Sequence, residues 1–364
     1  MIRLRYENLV NFATEVLENI GYSREKAKIT SWALVEADAR GVPSHGLQRI
    51  VDYERYVRQG IFLPDAPTET VYETPLSTVL DGNNGIGMDI ALKSMKACLG
   101  KASERGVGFC SVRNSNHFGM AGLWAEMAPP QKCIGITMTN TEPFAIVTHG
   151  RERLLGTNPI AVAFPATNDG AFLLDMATTT VPHGKIETYA RRNLEMPLGW
   201  AVDDSGADTT NSAAMSELFK SALPFGGQLM LGGRGEMLGG HKGFGLGLLV
   251  ELFCSALSGG TWSRHVFSPE KGGAITHFFA ALSLDLFGEP EEITSLVQSI
   301  LDEIRSSEKA EGKNRIYIHG EKERLRRLQS LEEGVPLDEK TWEEMTAYSN
   351  RFELALPERS DKKE

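Results

Sequence analysis

Val107-Gly108-Phe109-Cys110-Ser111-Val112 reads as a β-prone run, and Asn114-Ser115-Asn116-His117-Phe118-Gly119 breaks it into a turn ahead of helical spacing over 119 to 128. A strand end that opens into a helix is where α/β proteins gather ligand groups. The same texture recurs from about residue 67, in Ser77 to Leu80, Ile134 to Thr139, Ile160 to Phe164 and Phe172 to Asp175, each bounded by Gly, Pro, Asn or Asp. A second helical stretch, 243 to 257, lies further on. The pattern predicts a mixed α/β region around a sheet over 67–321.

Upstream the period changes. Leu9, Phe12, Ala13, Val16, Leu17 and Ile20 recur at helical spacing and stop at Gly21, a residue suited to the left-handed position after a helix. Ser23 is placed to cap a second helix that runs to about Gly41-Val42-Pro43, and Ser44 to cap a third through Leu47, Ile50, Val51 and Val57 to Gly60. Residues 1–66 therefore read as a helical region. The charged RLRRLQSLEE segment after Glu321 reads as a solvated helix and tail, and 322–364 is expected to join the N-terminal helices.

Composition narrows the function. A chain of 364 residues with 41% hydrophobic content can bury a large core. A net charge of -10 disfavours a phosphate-binding surface, so no nucleic-acid partner is expected. Cys98, Cys110, Cys133 and Cys254 are widely spaced, which suits buried thiols in a reducing compartment. The start, MIRLRYENLVNF, has charges where a secretory signal needs an apolar core. The longest apolar stretch, Gly243 to Gly260, is Gly-rich and carries Glu251, which favours a buried helix over a membrane span. A cytoplasmic location without membrane attachment is the expectation.

Familiar nucleotide motifs do not fit. Asp81-Gly82-Asn83-Asn84-Gly85-Ile86-Gly87 lacks the third glycine of a Rossmann fingerprint and reads as a loop. In Gly235-Glu236-Met237-Leu238-Gly239-Gly240-His241-Lys242-Gly243, His241 intrudes before the lysine and Gly243 replaces the hydroxyl a P-loop needs for magnesium. No H-E-x-x-H, close Cys/His cluster or G-x-S-x-G occurs, and no metal site is expected.

Three constellations can carry chemistry. His45, Arg49 and Tyr53 at i, i+4 and i+8 fall on one stripe of the expected third helix. There Arg49 can grip a carboxylate and His45 can deliver a proton beside it, or the stripe is an ordinary solvated face. In the first helical turn the positive end of the helix dipole would favour neutral His45. His117 stands equally for a second acid/base group or for a histidine that satisfies a tight turn. The third set is Gly156-Thr157-Asn158-Pro159, Asp175 to Thr179 and His241-Lys242-Gly243, where small residues let backbone amides approach phosphate and Lys242 can neutralise a pyrophosphate.

In this order, GVPSHGLQRI (41–50), NSNHFG (114–119), LLGTNP (154–159), LDMATT (174–179), GHKGFGLGLLVELF (240–253), HFF (277–279) and RIYIHGEKE (315–323) resemble the malate/L-lactate dehydrogenase family. That family is distinct from the Rossmann-type lactate and malate enzymes and includes sulfolactate, ureidoglycolate and diketogulonate oxidoreductases. The resemblance implies an α/β fold with a mixed-sheet cofactor-binding domain that is not a Rossmann fold. It also implies a helical domain built from N- and C-terminal segments, and a homodimer. It implies an active site with both histidines, proton transfer by His45 or His117, and Ser44, Arg49, Tyr53 and Asn116 at the substrate. The NAD or NADP cofactor, NAD favoured, would meet Asn140, Asn158, Asp175, Met176, Ala177, Thr178, Thr179, Lys242, Gly243, His319, Gly320 and Glu321. The implied reaction interconverts a 2-oxo acid and its 2-hydroxy acid, oxaloacetate and malate first, with reduction of a cyclic imino acid, or oxidation of sulfolactate, lactate or ureidoglycolate, as the alternatives. Two departures touch the site loops: Pro182 stands where the family usually has alanine, and Thr148-His149-Gly150 replaces a more usual aromatic-Gly-Gly.

Overall fold

In the computed structural model, which describes residues 2–167, 170–221, 223–267 and 272–358, helices occupy both ends of the chain and sheets its middle. Strand β1 (Ile2–Leu4) leads into α1 (Tyr6–Ile20), which closes on Gly21 in the left-handed region (φ 112°). Ser23 then caps α2 (Arg24–Ala39). Both ends follow the sequence signals. Helix α3 (Arg49–Arg58) starts later than expected: Pro43–His45 forms a separate 3-10 turn, and Gly46 is extended. Ser44 therefore caps nothing, and His45 does not share a helix with Arg49 and Tyr53. Asp38, near the end of α2, accepts the Leu47 amide (2.8 Å) and holds this stretch out of helical register.

The middle of the chain comprises β2 (Glu69–Glu73), β3 (Ser77–Asp81), α4 (Gly87–Arg105), β4 (Val107–Ser115), α5 (Ala121–Ala125), β5 (Cys133–Thr139), β6 (Ala145–Ile146), β7 (Arg153–Leu155), β8 (Ile160–Phe164) and β9 (Phe172–Met176). Then come α6 (His183–Arg191), β10 (Ala201–Val202), α7 (Ser212–Lys220), β11 (Gly227–Gln228), α8 (Gly240–Glu251) and β12 (Ile275–Ser283). The chain closes with α9 (Pro290–Ser306), α10 (Glu321–Glu333), β13 (Val335–Leu337) and α11 (Glu339–Phe352). The seven-stranded sheet has the order β2-β3-β4-β12-β5-β8-β9, and only β3 and β4 run parallel within it. A Rossmann sheet is parallel and built from βαβ crossovers, so this sheet is of another kind. A four-stranded sheet, β10-β11-β6-β7, stands apart from the large one, and α6, α7 and β10 share a small core of Val181, Ile186, Met196, Ala201 and Met215.

The main core runs continuously from α1 and α2 through α4 and α5 to the inner face of the large sheet. The chain ends meet, since β1 pairs antiparallel with β13. Helix α10 is less solvated than its charges suggest. Arg327 donates to both carboxylate oxygens of Glu36 (2.7 to 3.0 Å) on α2, and Ser330 donates to the Ala39 carbonyl (2.9 Å). The expected tail beyond residue 358 lies outside the described residues. Among the described residues no helix is long and apolar enough to cross a membrane, and no cluster of His, Cys, Asp or Glu could hold a metal ion. The four cysteines are buried and free.

Candidate active site

The turn after β4 and the 3-10 turn before α3 bring two imidazoles together, with ring centroids 5.4 Å apart and planes inclined by 27°. His117 Nδ1 lies 2.6 Å from the Tyr53 hydroxyl and 3.4 Å from the Gly119 amide. An amide can only donate, so Nδ1 is an acceptor and the His117 proton sits on Nε2. His45 Nδ1 faces its neighbour Ser44 Oγ at 3.0 Å. Burial lowers the His45 pKa to about 4, with the Arg49 charge acting in the same direction. Burial, then His45 and Arg49, carry His117 well below the usual histidine range. Both rings are neutral at physiological pH. For His45 the cause is desolvation and a neighbouring cation, since it stands outside α3 and its dipole.

Arg49 is tied into this corner through three nitrogens. Its Nε donates to the Ser44 carbonyl (2.6 Å), one terminal nitrogen to Asp52 (3.1 Å) and the other to Glu187 (3.3 Å) from α6. A guanidinium has five N–H groups, so two remain for a ligand. Glu142 adds a further carboxyl nearby; burial and the charge of Asp52 push its pKa up to about 7.

From the histidine pair a cleft of about 380 Å³ runs past Thr141, Thr157 and Asp175 to Tyr317, Ile318, His319 and Gly320. At that far end α10 begins, with Lys322 and Glu323 on the cleft wall and no side chain capping its first turn. Asp175 accepts the Gly122 amide (2.7 Å), and burial raises its pKa to about 6. A helix N-terminus and a lysine on the wall of a cavity that the imidazoles also line form a donor set suited to a phosphate-linked dinucleotide.

Of the residues singled out in the sequence, Ser44, His45, His117, Asn140, Asp175, Met176, Ala177, His319 and Gly320 line this cleft. Arg49 and Tyr53 do not line it but touch residues that do: Arg49 the Ser44 carbonyl (2.6 Å) and Tyr53 the His117 ring (2.6 Å). The others are placed elsewhere. Asn116 is buried and donates to the Asn84 and Gly85 carbonyls (both 2.8 Å). Asn158 donates to the Gly247 carbonyl (3.0 Å) and to Glu251 (2.9 Å). The Thr178 amide donates to the Thr157 carbonyl (2.9 Å), and the Thr179 hydroxyl to the Val181 carbonyl (2.8 Å). Lys242 is exposed on α8, while Gly243 packs where a Cβ would lie 2.3 Å from the Leu231 carbonyl oxygen. Glu321 turns toward Arg305 (2.6 Å) and the Ile318 amide (3.1 Å), shaping the loop that carries His319.

Sequence reasoning missed three supports. Buried Glu251 accepts from Asn140 (2.9 Å), Asn158 (2.9 Å), Ser255 (2.7 Å), the Ser263 amide (3.0 Å) and the Ser263 hydroxyl (2.6 Å), and so fixes two loops, one of them carrying the cleft residues Asn140 and Thr141. A lone acid in an apolar run was its signal. His277 bridges Ser115 (2.8 Å) and Thr139 (2.7 Å) behind the cleft and stacks on Phe118 at 4.5 Å. Glu187 and its neighbour His183 (3.4 Å) come from α6, which no motif marked as part of the site.

Neutral imidazoles can accept a proton near neutrality, and a guanidinium beside them suits an anionic substrate. Those are the needs of a hydroxy-acid oxidoreductase, and comparison with known proteins gives the same class. The sequence profile of the malate/L-lactate dehydrogenase family matches residues 4–346, and the chain belongs to that family. It is 42% identical to malate dehydrogenase of Pyrococcus horikoshii over 96% of this chain and 95% of that one. It is 37% identical to L-sulfolactate dehydrogenase of Methanocaldococcus jannaschii over 97% of this chain and 98% of that one. Among solved structures, malate dehydrogenase from Entamoeba histolytica superposes with a TM-score of 0.94 at 32% identity, covering 98% of this chain and 99% of that one. The chain is thus a hydroxy-acid dehydrogenase, a class that works with a nicotinamide cofactor.

Proposed function

We propose that the protein interconverts oxaloacetate and malate, with Arg49 holding the carboxylate next to the reacting carbon and the histidine pair handling the hydroxyl proton. The observation that carries this reading is the pair of N–H groups left on Arg49 beside two neutral imidazoles. A bound nicotinamide supplies or accepts the hydride at C2. His117, with its proton on Nε2, donates a hydrogen bond to the substrate oxygen and polarises the carbonyl. His45, neutral near pH 7, takes the hydroxyl proton as general base on oxidation, and on reduction it returns to that oxygen a proton first taken up from solvent. Ser44 sets the His45 ring, Tyr53 sets the His117 tautomer, and Asn116 shapes the turn that carries His117.

For the cofactor, the residues proposed are Asn140, Asp175, Met176, Ala177, His319 and Gly320 along the cleft, with Thr178, Thr179 and Glu321 shaping its loops and Lys242-Gly243 on α8. NAD is proposed over NADP, because Glu323 and Asp175 in the cleft would oppose an added phosphate. A cytoplasmic homodimer completes the reading. Leu246, Leu248, Leu249, Leu252 and Leu257 stand exposed along α8 and the turn after it, an apolar face that a second copy would cover.

A substrate panel tests the proposal: oxaloacetate, pyruvate, sulfopyruvate and piperideine-carboxylate with NADH and with NADPH, for the wild type and Arg49→Lys. Oxaloacetate with NADH should give the highest kcat/KM. Lysine, a point charge without the planar fork, should raise KM. A preference for the cyclic imine, or an unchanged KM in the variant, would overturn the reading.

A further inference from the structure

Helix α6 packs into the small core with α7 and β10, yet it reaches the corner where Arg49 lies. Gly184 abuts Ser44, so closely that a Cβ there would lie 2.7 Å from the Ser44 Cβ. Arg191 donates to Gln48 (3.1 Å), and Glu187 reaches Arg49 (3.3 Å). Of the two carboxylates on Arg49, Asp52 is local: it lies three residues along on α3 and is also held by Arg55 (2.7 Å). Glu187 comes from α6.

We infer that Glu187 is a specificity-determining residue that competes by its charge with the substrate's carboxylate beside Arg49 and lets go of Arg49 when a 2-oxo or 2-hydroxy acid arrives. The inference rests on Arg49 as the carboxylate anchor. With Nε committed to the Ser44 carbonyl, an incoming carboxylate must use the one N–H left on each terminal nitrogen, directly beside Asp52 and Glu187. Three carboxylates around one guanidinium repel one another in a half-buried corner, and the one with somewhere else to go leaves. Glu187 has such a place. His183 Nε2, one turn back on α6, is 3.4 Å away, and its ring is fixed by stacking on Phe144 at 4.0 Å and edge-on against Phe219 at 4.8 Å. Glu187 is also a permanent competitor. Burial acts against its charge, but the hydrogen bond from His183 and the charges of His183, Arg49 and Arg191 outweigh it and bring the pKa down to about 2. An uncharged look-alike, such as the methyl ester of a 2-oxo acid, cannot displace an anion from a guanidinium. The exchange therefore selects for a free carboxylate, and it reaches α6 and the small core behind it.

Steady-state kinetics of Glu187→Gln, Glu187→Asp and Arg49→Lys with oxaloacetate and with methyl pyruvate separate the outcomes. Removing the competitor should lower the oxaloacetate KM of Glu187→Gln by roughly three- to tenfold with kcat changed less. Glu187→Asp, which keeps the charge, should stay near the wild-type KM, and the preference for the acid over the ester should narrow in Glu187→Gln. A purely supporting Glu187 predicts the opposite, a raised KM. An oxaloacetate KM that is unchanged or raised in Glu187→Gln while Arg49→Lys raises it overturns this inference alone. An Arg49→Lys variant with wild-type KM overturns the anchor itself. If Glu187→Gln fails to fold, Glu187→Asp decides the matter, because a KM raised to the level of Arg49→Lys would mark a supporting role.

Discussion

Replacing Tyr53 by Phe removes one oxygen from a fully buried ring and leaves the packing against Phe62 (5.4 Å) in place. What is lost is the 2.6 Å contact to His117 Nδ1, leaving that nitrogen only the distant Gly119 amide at 3.4 Å. A buried hydrogen bond is worth about 1 kcal/mol net, and stranding an acceptor costs about 1 to 3 kcal/mol. A loss near 2 kcal/mol carried into the transition state, because the His117 ring is held less firmly, lowers kcat/KM by about 30-fold. The assay is NADH oxidation by oxaloacetate over a range of pH, with thermal melting alongside. Expected is that fall in kcat/KM, carried mainly by kcat, with a loss of a few degrees in Tm. A variant within twofold of wild type would show that Tyr53 does not hold the His117 ring.

Three further outcomes follow from the same geometry. His45→Ala should lower turnover by about 100-fold or more, the usual worth of a positioned acid, while NADH binding measured by fluorescence titration stays within a small factor; turnover near wild type would remove the role. Burial raises the Asp38 pKa from 3.8 to about 8, against the stabilising Leu47 amide. The folded state then keeps a proton that the unfolded chain has lost, so this group's contribution to stability declines as pH rises from about 4 to about 8. Asp38→Asn keeps an acceptor for Leu47 and should melt above wild type at pH 8.5 but not at pH 5, and an equal difference at both would refute it. Leu252→Asp, on the leucine face of α8, should shift the protein from dimer to monomer in light scattering, and an unchanged dimer would place the interface elsewhere.

Periodicity made α1 and α2 legible together with their ends, because Gly21 and Ser23 act locally and α1 has one clear apolar stripe. Most large-sheet strands were legible to within a few residues for the same reason. The start of α3 was not, because it is set by Asp38 reaching the Leu47 amide from nine residues upstream, a tertiary contact that overrides the capping preference of Ser44. The site divides in the same way. His45, Arg49 and His117 were found because histidine and arginine announce their chemistry, and the motif order supplied their company. Glu187 is an ordinary helical glutamate in sequence, and Glu251 stood out only as a lone acid in an apolar run; the packing of α6 and α8 is what gives them partners. Asn116 and Asn158 stand beside telling residues, yet their amides are spent on backbone and on Glu251.

The position of β12 sets an order on how the molecule can be made. It is the central strand of the large sheet, paired with β4 on one side and β5 on the other, yet it is synthesised well over a hundred residues after both. Until residue 283 has emerged, β4 and β5 each present an unpaired edge, and the half-sheets β2-β3-β4 and β5-β8-β9 have nothing to join them. Such long-range closure is slow and leaves sticky intermediates. A nascent chain stalled before β12 is therefore a natural client for chaperones, and a truncation before residue 275 should aggregate rather than yield a smaller working domain.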